Sequence, residues 1–112
     1  MKYIKQISII FILFVMIISD KMLIADDFVW PAGIEPTEGF DAMVKIRLAS
    51  KPAAAHIERY VCDEEEASKY RGQPWKITFE TPQRAVAPGQ SAVLYKDGVI
   101  VGGGVIFRAF TV

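Results

Sequence analysis

The segment Trp75-Lys76-Ile77-Thr78-Phe79-Glu80 alternates apolar and polar residues without a break. A period of two does not suit a helix, whose apolar positions recur every three or four residues. It suits a strand with one buried and one wet face. Trp75, Ile77 and Phe79 are therefore expected inward, and Lys76, Thr78 and Glu80 towards solvent. Met43 to Leu48 repeats the pattern, with Val44, Ile46 and Leu48 on one face and Lys45 and Arg47 on the other. Ser91 to Tyr95 and Val99 to Val101 are further apolar runs. Between them lies Lys96-Asp97-Gly98, whose Asp-Gly pair supplies the positive φ angles of a tight hairpin turn. Another strand is expected over His56 to Cys62, entered from the loop carrying Pro52 and left through an acidic stretch that ends in Gly72-Gln73-Pro74. Short alternating strands separated by turn residues from Leu23 onward predict an all-β fold, an antiparallel barrel or sandwich.

A chain of 112 residues, 52% of them apolar, fills one core and no more. Its 13 basic and 13 acidic residues cancel, so no whole-chain field draws it to nucleic acid or acidic lipid, and any such contact is local. Residues 1–19 differ in kind: Lys2 and Lys5 precede an almost unbroken apolar run from Ile7 to Ile18. This leader reads as a secretory signal, as a short membrane anchor, or as the unrelated start of a truncated gene ahead of a domain at residues 20–112. Its nearest cleavage-like site, Leu23-Ile24-Ala25, carries a large residue where a small one is preferred. If the segment is functional, the chain is expected to be an exported or membrane-tethered β-barrel binding module; otherwise the expected location is the cytoplasm.

The residue types that carry chemistry do not converge. Cys62 has no partner cysteine, sits beside Val61 in a strand-like run, and is expected as a small core residue whose thiolate the adjacent Asp63, Glu64, Glu65 and Glu66 disfavour. That acidic run is expected as a solvated loop rather than a helical turn, because neighbouring carboxylates repel. His56 is the single histidine and is expected on a strand or surface. Asp26 and Asp27, adjacent in a strand, point to opposite faces and do not form a metal pair. Gly102-Gly103-Gly104 lacks the Lys-Ser or Lys-Thr of a phosphate loop and is expected to mark a bulge, a barrel corner or close approach of another chain segment. No catalytic residue, metal or cofactor is expected.

The loop Pro82-Gln83-Arg84-Ala85-Val86-Ala87-Pro88-Gly89-Gln90-Ser91 is the richest local feature. Pro88 presets φ, Gly89 permits the turn, and Gln90 or Ser91 satisfies exposed backbone groups, which makes the segment a rigid connector. Its functional reading is that Arg84 meets a phosphate while Gln83 or Gln90 bonds RNA edges.

The run PQRAVAPGQSAVLYKDGVIVGGGVI, Pro82 to Ile106, resembles the terminal signature of bacterial tRNA 2-thiouridylases. SDKMLIADDFVW, Ser19 to Trp30, is similar to the entry of the same domain, and VKIRLASKPAAA, Val44 to Ala55, to its first long strand and loop. The resemblance covers nearly everything after the leader. It implies a C-terminal barrel like those of translation elongation factors, attached in that family to an ATP-pyrophosphatase domain that activates the tRNA wobble uridine for sulfur transfer. The family's SGGVDS-like nucleotide loop and its two catalytic cysteines have no counterpart in this sequence, and Cys62 inherits neither role. The chain is therefore expected to be an accessory, with tRNA and a separately encoded catalytic domain as partners. Lys45, Arg47, Gln83, Arg84 and Gln90 are the candidate tRNA contacts. The long acidic stretch from Cys62 to Gln73 departs from the family pattern. With eleven basic against thirteen acidic residues after the leader, binding by the barrel alone is expected to be weak and salt-sensitive.

Overall fold

Six strands and one helical turn make up a computed structural model that describes residues 19–46 and 51–111. They are β1 (Ser19–Val29), β2 (Phe40–Lys45), β3 (Ala53–Arg59), α1 (Glu64–Ala67), β4 (Trp75–Arg84), β5 (Ser91–Lys96) and β6 (Val99–Phe110). The leader, apart from Ser19, lies outside the described residues, as do Arg47 and Leu48. All pairings are antiparallel, and the order β1-β4-β3-β2-β5-β6 returns to β1, so the sheet closes into a barrel without an edge.

The alternation in the sequence becomes the division between core and surface. Trp75, Ile77 and Phe79 of β4 are buried, as are Val44 and Ile46 and, from the other strands, Leu23, Ile57, Leu94 and Ile106. The β5–β6 hairpin turns where the Asp-Gly pair demands it, with φ 52° at Asp97 and 77° at Gly98. Pro88-Gly89 forms the other expected turn: Gly89 has φ 90°, and the Gln90 N–H donates to the Ala87 carbonyl at 3.3 Å.

Gly102 and Gly104 fulfil the close-approach reading. A Cβ on Gly102 would lie 2.5 Å from the Trp30 ring, and one on Gly104 would lie 2.6 Å from Phe28 and 2.7 Å from the Asp26 carbonyl oxygen. These glycines let Phe28 and Trp30 fold over one end of the barrel, stacked at 5.2 Å and 14°. Trp30 also meets Trp75 edge-on at 5.2 Å, and Phe40 completes the aromatic plug. Arg59 lies over Trp75 at 5.6 Å and Lys96 over Phe40 at 5.5 Å, so the plug is rimmed by cations.

Three expectations need correction. The third strand spans Ala53–Arg59 rather than His56 to Cys62, because the chain turns away after Arg59, where the Tyr60 N–H bonds the Pro74 carbonyl. The acidic run is not a plain loop: Glu64–Ala67 form a helical turn, capped by Asp63, whose Oδ1 accepts the Glu66 N–H at 2.8 Å. Carboxylates in the first turn favour the positive end of the helix dipole, which offsets their mutual repulsion. Cys62 is half-buried just before this cap, not in the core. Burial pushes its thiol up, with the Glu66 and Asp63 charges adding to the effect.

Candidate nucleic-acid interface

Strand direction gathers the sequence-nominated cations at the end of the barrel opposite the aromatic plug. β2 ends there at Lys45, β4 ends there at Arg84, and β5 begins there at Ser91. Lys45 lies opposite Val93, and Arg84 lies opposite Ser19. Arg84 is exposed and Lys45 half-buried, and neither enters an ion pair among the described residues. Arg47 follows Lys45 in sequence but lies outside the described residues.

The two amides are less available than the sequence suggests. Gln83 Nε2 donates to the Thr81 carbonyl at 2.8 Å. Gln90 Oε1 accepts the Ala87 N–H at 3.0 Å, while the Gln90 carbonyl accepts the Ile106 N–H at 2.7 Å. Gln90 thus closes its own loop through its side chain and joins it to β6 through its backbone.

Sequence reasoning missed two further lysines at this end. Lys21 sits where the β1–β4 register shifts between Asp20 and Met22, and Lys51 precedes β3; both are exposed. Lys51 lay within the VKIRLASKPAAA segment, so the signal was present. Lys21 is brought beside Gln83 by pairing that no local pattern reveals. Lys21, Lys45, Lys51 and Arg84 outnumber the nearby acids Asp20 and Glu80, giving this end a local positive balance that the neutral chain lacks.

The acidic connection between β3 and β4 folds back over the outer face of β1 and β6. Tyr70 packs on Phe107 at 4.7 Å, and Asp26, buried beneath it, accepts the Arg71 N–H at 2.8 Å. Asp27 is exposed, with φ 53°, and its N–H donates to the Arg71 carbonyl at 2.9 Å. A single carboxylate oxygen, Glu66 Oε1, accepts from Tyr60 OH, Tyr70 OH and Arg108 Nη2, each at 3.0 Å. The network fastens the connection to β6. Burial, and then the bond to Glu66, pushes the Tyr70 phenol up to about 12, and the same carboxylate raises Tyr60. His56 is exposed on β3, with Nδ1 2.8 Å from Asp41 Oδ1. Among the described residues, no group of three His, Cys, Asp or Glu side chains is placed to hold a metal ion.

A raised folded-state pKa means that the fold favours the protonated phenol. That stability is complete below the unfolded value near 10 and is lost as pH rises through about 12. The expected result is a denaturation midpoint that stays level to about pH 9.5 and falls between about pH 10 and 12. In Glu66→Gln the tyrosine absorbance titration shifts to lower pH. An unchanged titration in that variant would show that Glu66 does not govern the phenols.

The described residues form a closed antiparallel barrel of six strands, with Lys21, Lys45, Lys51 and Arg84 at one end of it. Residues 20–106 match the model of the aminomethyltransferase β-barrel domain, and the chain belongs to that family. Within it, the barrel is of the type that forms the C-terminal domain of tRNA-specific 2-thiouridylases. It is similar to the tRNA-specific 2-thiouridylase MnmA of Burkholderia ambifaria, 36% identical over 91 residues, which are 81% of this chain and 22% of that protein. It is also 36% identical over 86 residues to the MnmA of Francisella tularensis subsp. novicida, covering 77% of this chain and 21% of that protein. The chain thus spans about a fifth of the length of the curated relatives it matches. No helix among the described residues is long and apolar enough to cross a membrane.

Proposed function

We propose that the barrel is a tRNA-contacting accessory domain of the wobble-uridine 2-thiolation system, inactive alone and working in the cytoplasm beside a catalytic thiouridylase domain. The observation that carries this reading is the gathering of Lys21, Lys45, Lys51 and Arg84 at one end of a barrel of the 2-thiouridylase type. Cations spaced along one rim suit a phosphate backbone, to which each contributes by counterion release. Gln83 and Gln90 brace the loop that presents Arg84. Phosphate contacts of this kind position RNA without reading its sequence, so specificity belongs to the catalytic partner.

The test is tRNA binding by the full chain together with the catalytic portion of a relative, followed by fluorescence anisotropy across a salt series. Lys45→Ala with Arg84→Ala is expected to weaken binding and to flatten the dependence of log K on log salt by roughly 0.7–0.9 per lost contact. A slope unchanged in Arg84→Ala would remove that residue from the interface. Unchanged affinity in the double variant would remove this end of the barrel.

A further inference from the structure

The outer wall of the barrel has two characters. On β3 and β4 it is polar: Lys76 Nζ lies 3.0 Å from Glu58, and His56 and Thr78 face each other across the strands. On the far side, strand register aligns Met43, Tyr95 and Ile100 in one row across β2, β5 and β6. The next row runs Val93, Gly103 and Val29. Because Val44 and Leu94 point into the core, their neighbours Met43, Val93 and Tyr95 point out. Val29 is 68% exposed, Ile100 50% and Met43 42%, and the charged side chain in these rows is Lys45, at their border opposite Val93. A shallow depression of about 280 Å³ adjoins the first row, where Met43, Ala54 and Tyr95 give way to the charged border of Asp41, Glu80, Lys96 and Asp97.

Such a wall offers a phosphate polymer almost nothing, since RNA affinity comes from cations. A contiguous apolar face on a small domain marks a protein contact. In the relatives, a barrel of this kind is about one fifth of a single chain, so four fifths of each protein is tethered beside it. We infer that the β2–β5–β6 wall is the docking surface for an apolar face of that remaining portion, supplied to this chain by a catalytic partner. This rests on the function proposed above. It gives the barrel two working surfaces: Lys45 and Arg84 lie at the end that meets RNA, and Met43, Val93, Tyr95 and Ile100 lie along the wall that meets protein.

The full chain is titrated by calorimetry into the Burkholderia ambifaria 2-thiouridylase from which the 91 matching residues have been removed. Wild-type chain is expected to bind. Val93→Glu and Ile100→Glu, which bury a charge on docking, weaken binding by about tenfold or more. Thr78→Glu on the polar wall changes it less than about twofold. Circular dichroism and melting verify each fold, and Ile100→Ser takes the place of any variant that unfolds. If binding persists equally in all variants, the wall is not the docking surface, although the accessory role stands. If the wild-type chain does not bind, both readings fall. If sedimentation shows a homodimer that Ile100→Glu splits, a second copy covers the wall and the inference is overturned.

Discussion

Trp75→Ala is expected to cost about 3–5 kcal/mol and to leave the barrel unfolded or nearly so at 37 °C, measured by urea denaturation of the full chain. Trp75 has no exposed surface and contacts Phe28, Trp30 and Phe40 at once. Its removal therefore empties the plug as well as the core beneath it. Trp75→Phe is expected to cost much less than alanine. Most ring packing survives, and the buried indole N–H, which has no acceptor among the described residues, disappears with the substitution. Equal losses in the two variants would show that a phenyl ring does not preserve the packing that the indole makes in the plug.

The second large effect is expected at the glycine triplet. Gly104→Ala drives a methyl against Phe28 and against the Asp26 carbonyl oxygen, a backbone atom that moves only if β1 moves. Overpacking of this kind costs about 1–3 kcal/mol. Gly102→Ala meets the Trp30 ring at 2.5 Å and is expected to behave similarly. Gly103→Ala, whose nearest contact is the Ala92 carbonyl oxygen at 3.3 Å, is expected to cost the least. Thermal melts of the three variants check this order. A Gly104→Ala protein as stable as the parent would mean that Phe28 does not lie over β6 as described.

The strands were legible because each carries its burial pattern in a few consecutive residues. Trp75 to Phe79 announced its inner face, and Asp97-Gly98 announced its turn through backbone preference alone. Closure was less legible. Barrel and sandwich share the same local alternation, and what separates them is the pairing of β1 with both β4 and β6, which no short window contains. The triplet Gly102-Gly103-Gly104 signalled a close approach, but not that Trp30 and Phe28 make it. The connection from Tyr60 to Gln73 was misjudged because its order comes from distant residues. Phe107 and Arg108 hold Tyr70 and Glu66, and Asp63 stabilises the turn that the adjacent charges seemed to forbid.

At the candidate site, Lys45 and Arg84 stood out as cations on strand ends, and topology brings those ends together. Gln90 satisfies the Ala87 N–H as a rigid connector requires, whereas Gln83 looks like a free donor because sequence cannot show that the Thr81 carbonyl engages it. Lys21 was invisible for the opposite reason: its place beside the loop depends on the irregular pairing of β1 with β4.

The seam between β1 and β6 joins residues far apart in sequence, Met22 with Phe110 and Leu23 with Ala109. During synthesis β1 emerges ahead of the other five strands and must wait, one side unzipped, until β6 has left the ribosome. A message cut short before Val99 would yield a product with bare backbone on both β1 and β5, the kind of edge that recruits strands from other chains into aggregates. Contacts so far apart in sequence also make the final zippering slower than the hairpins that precede it.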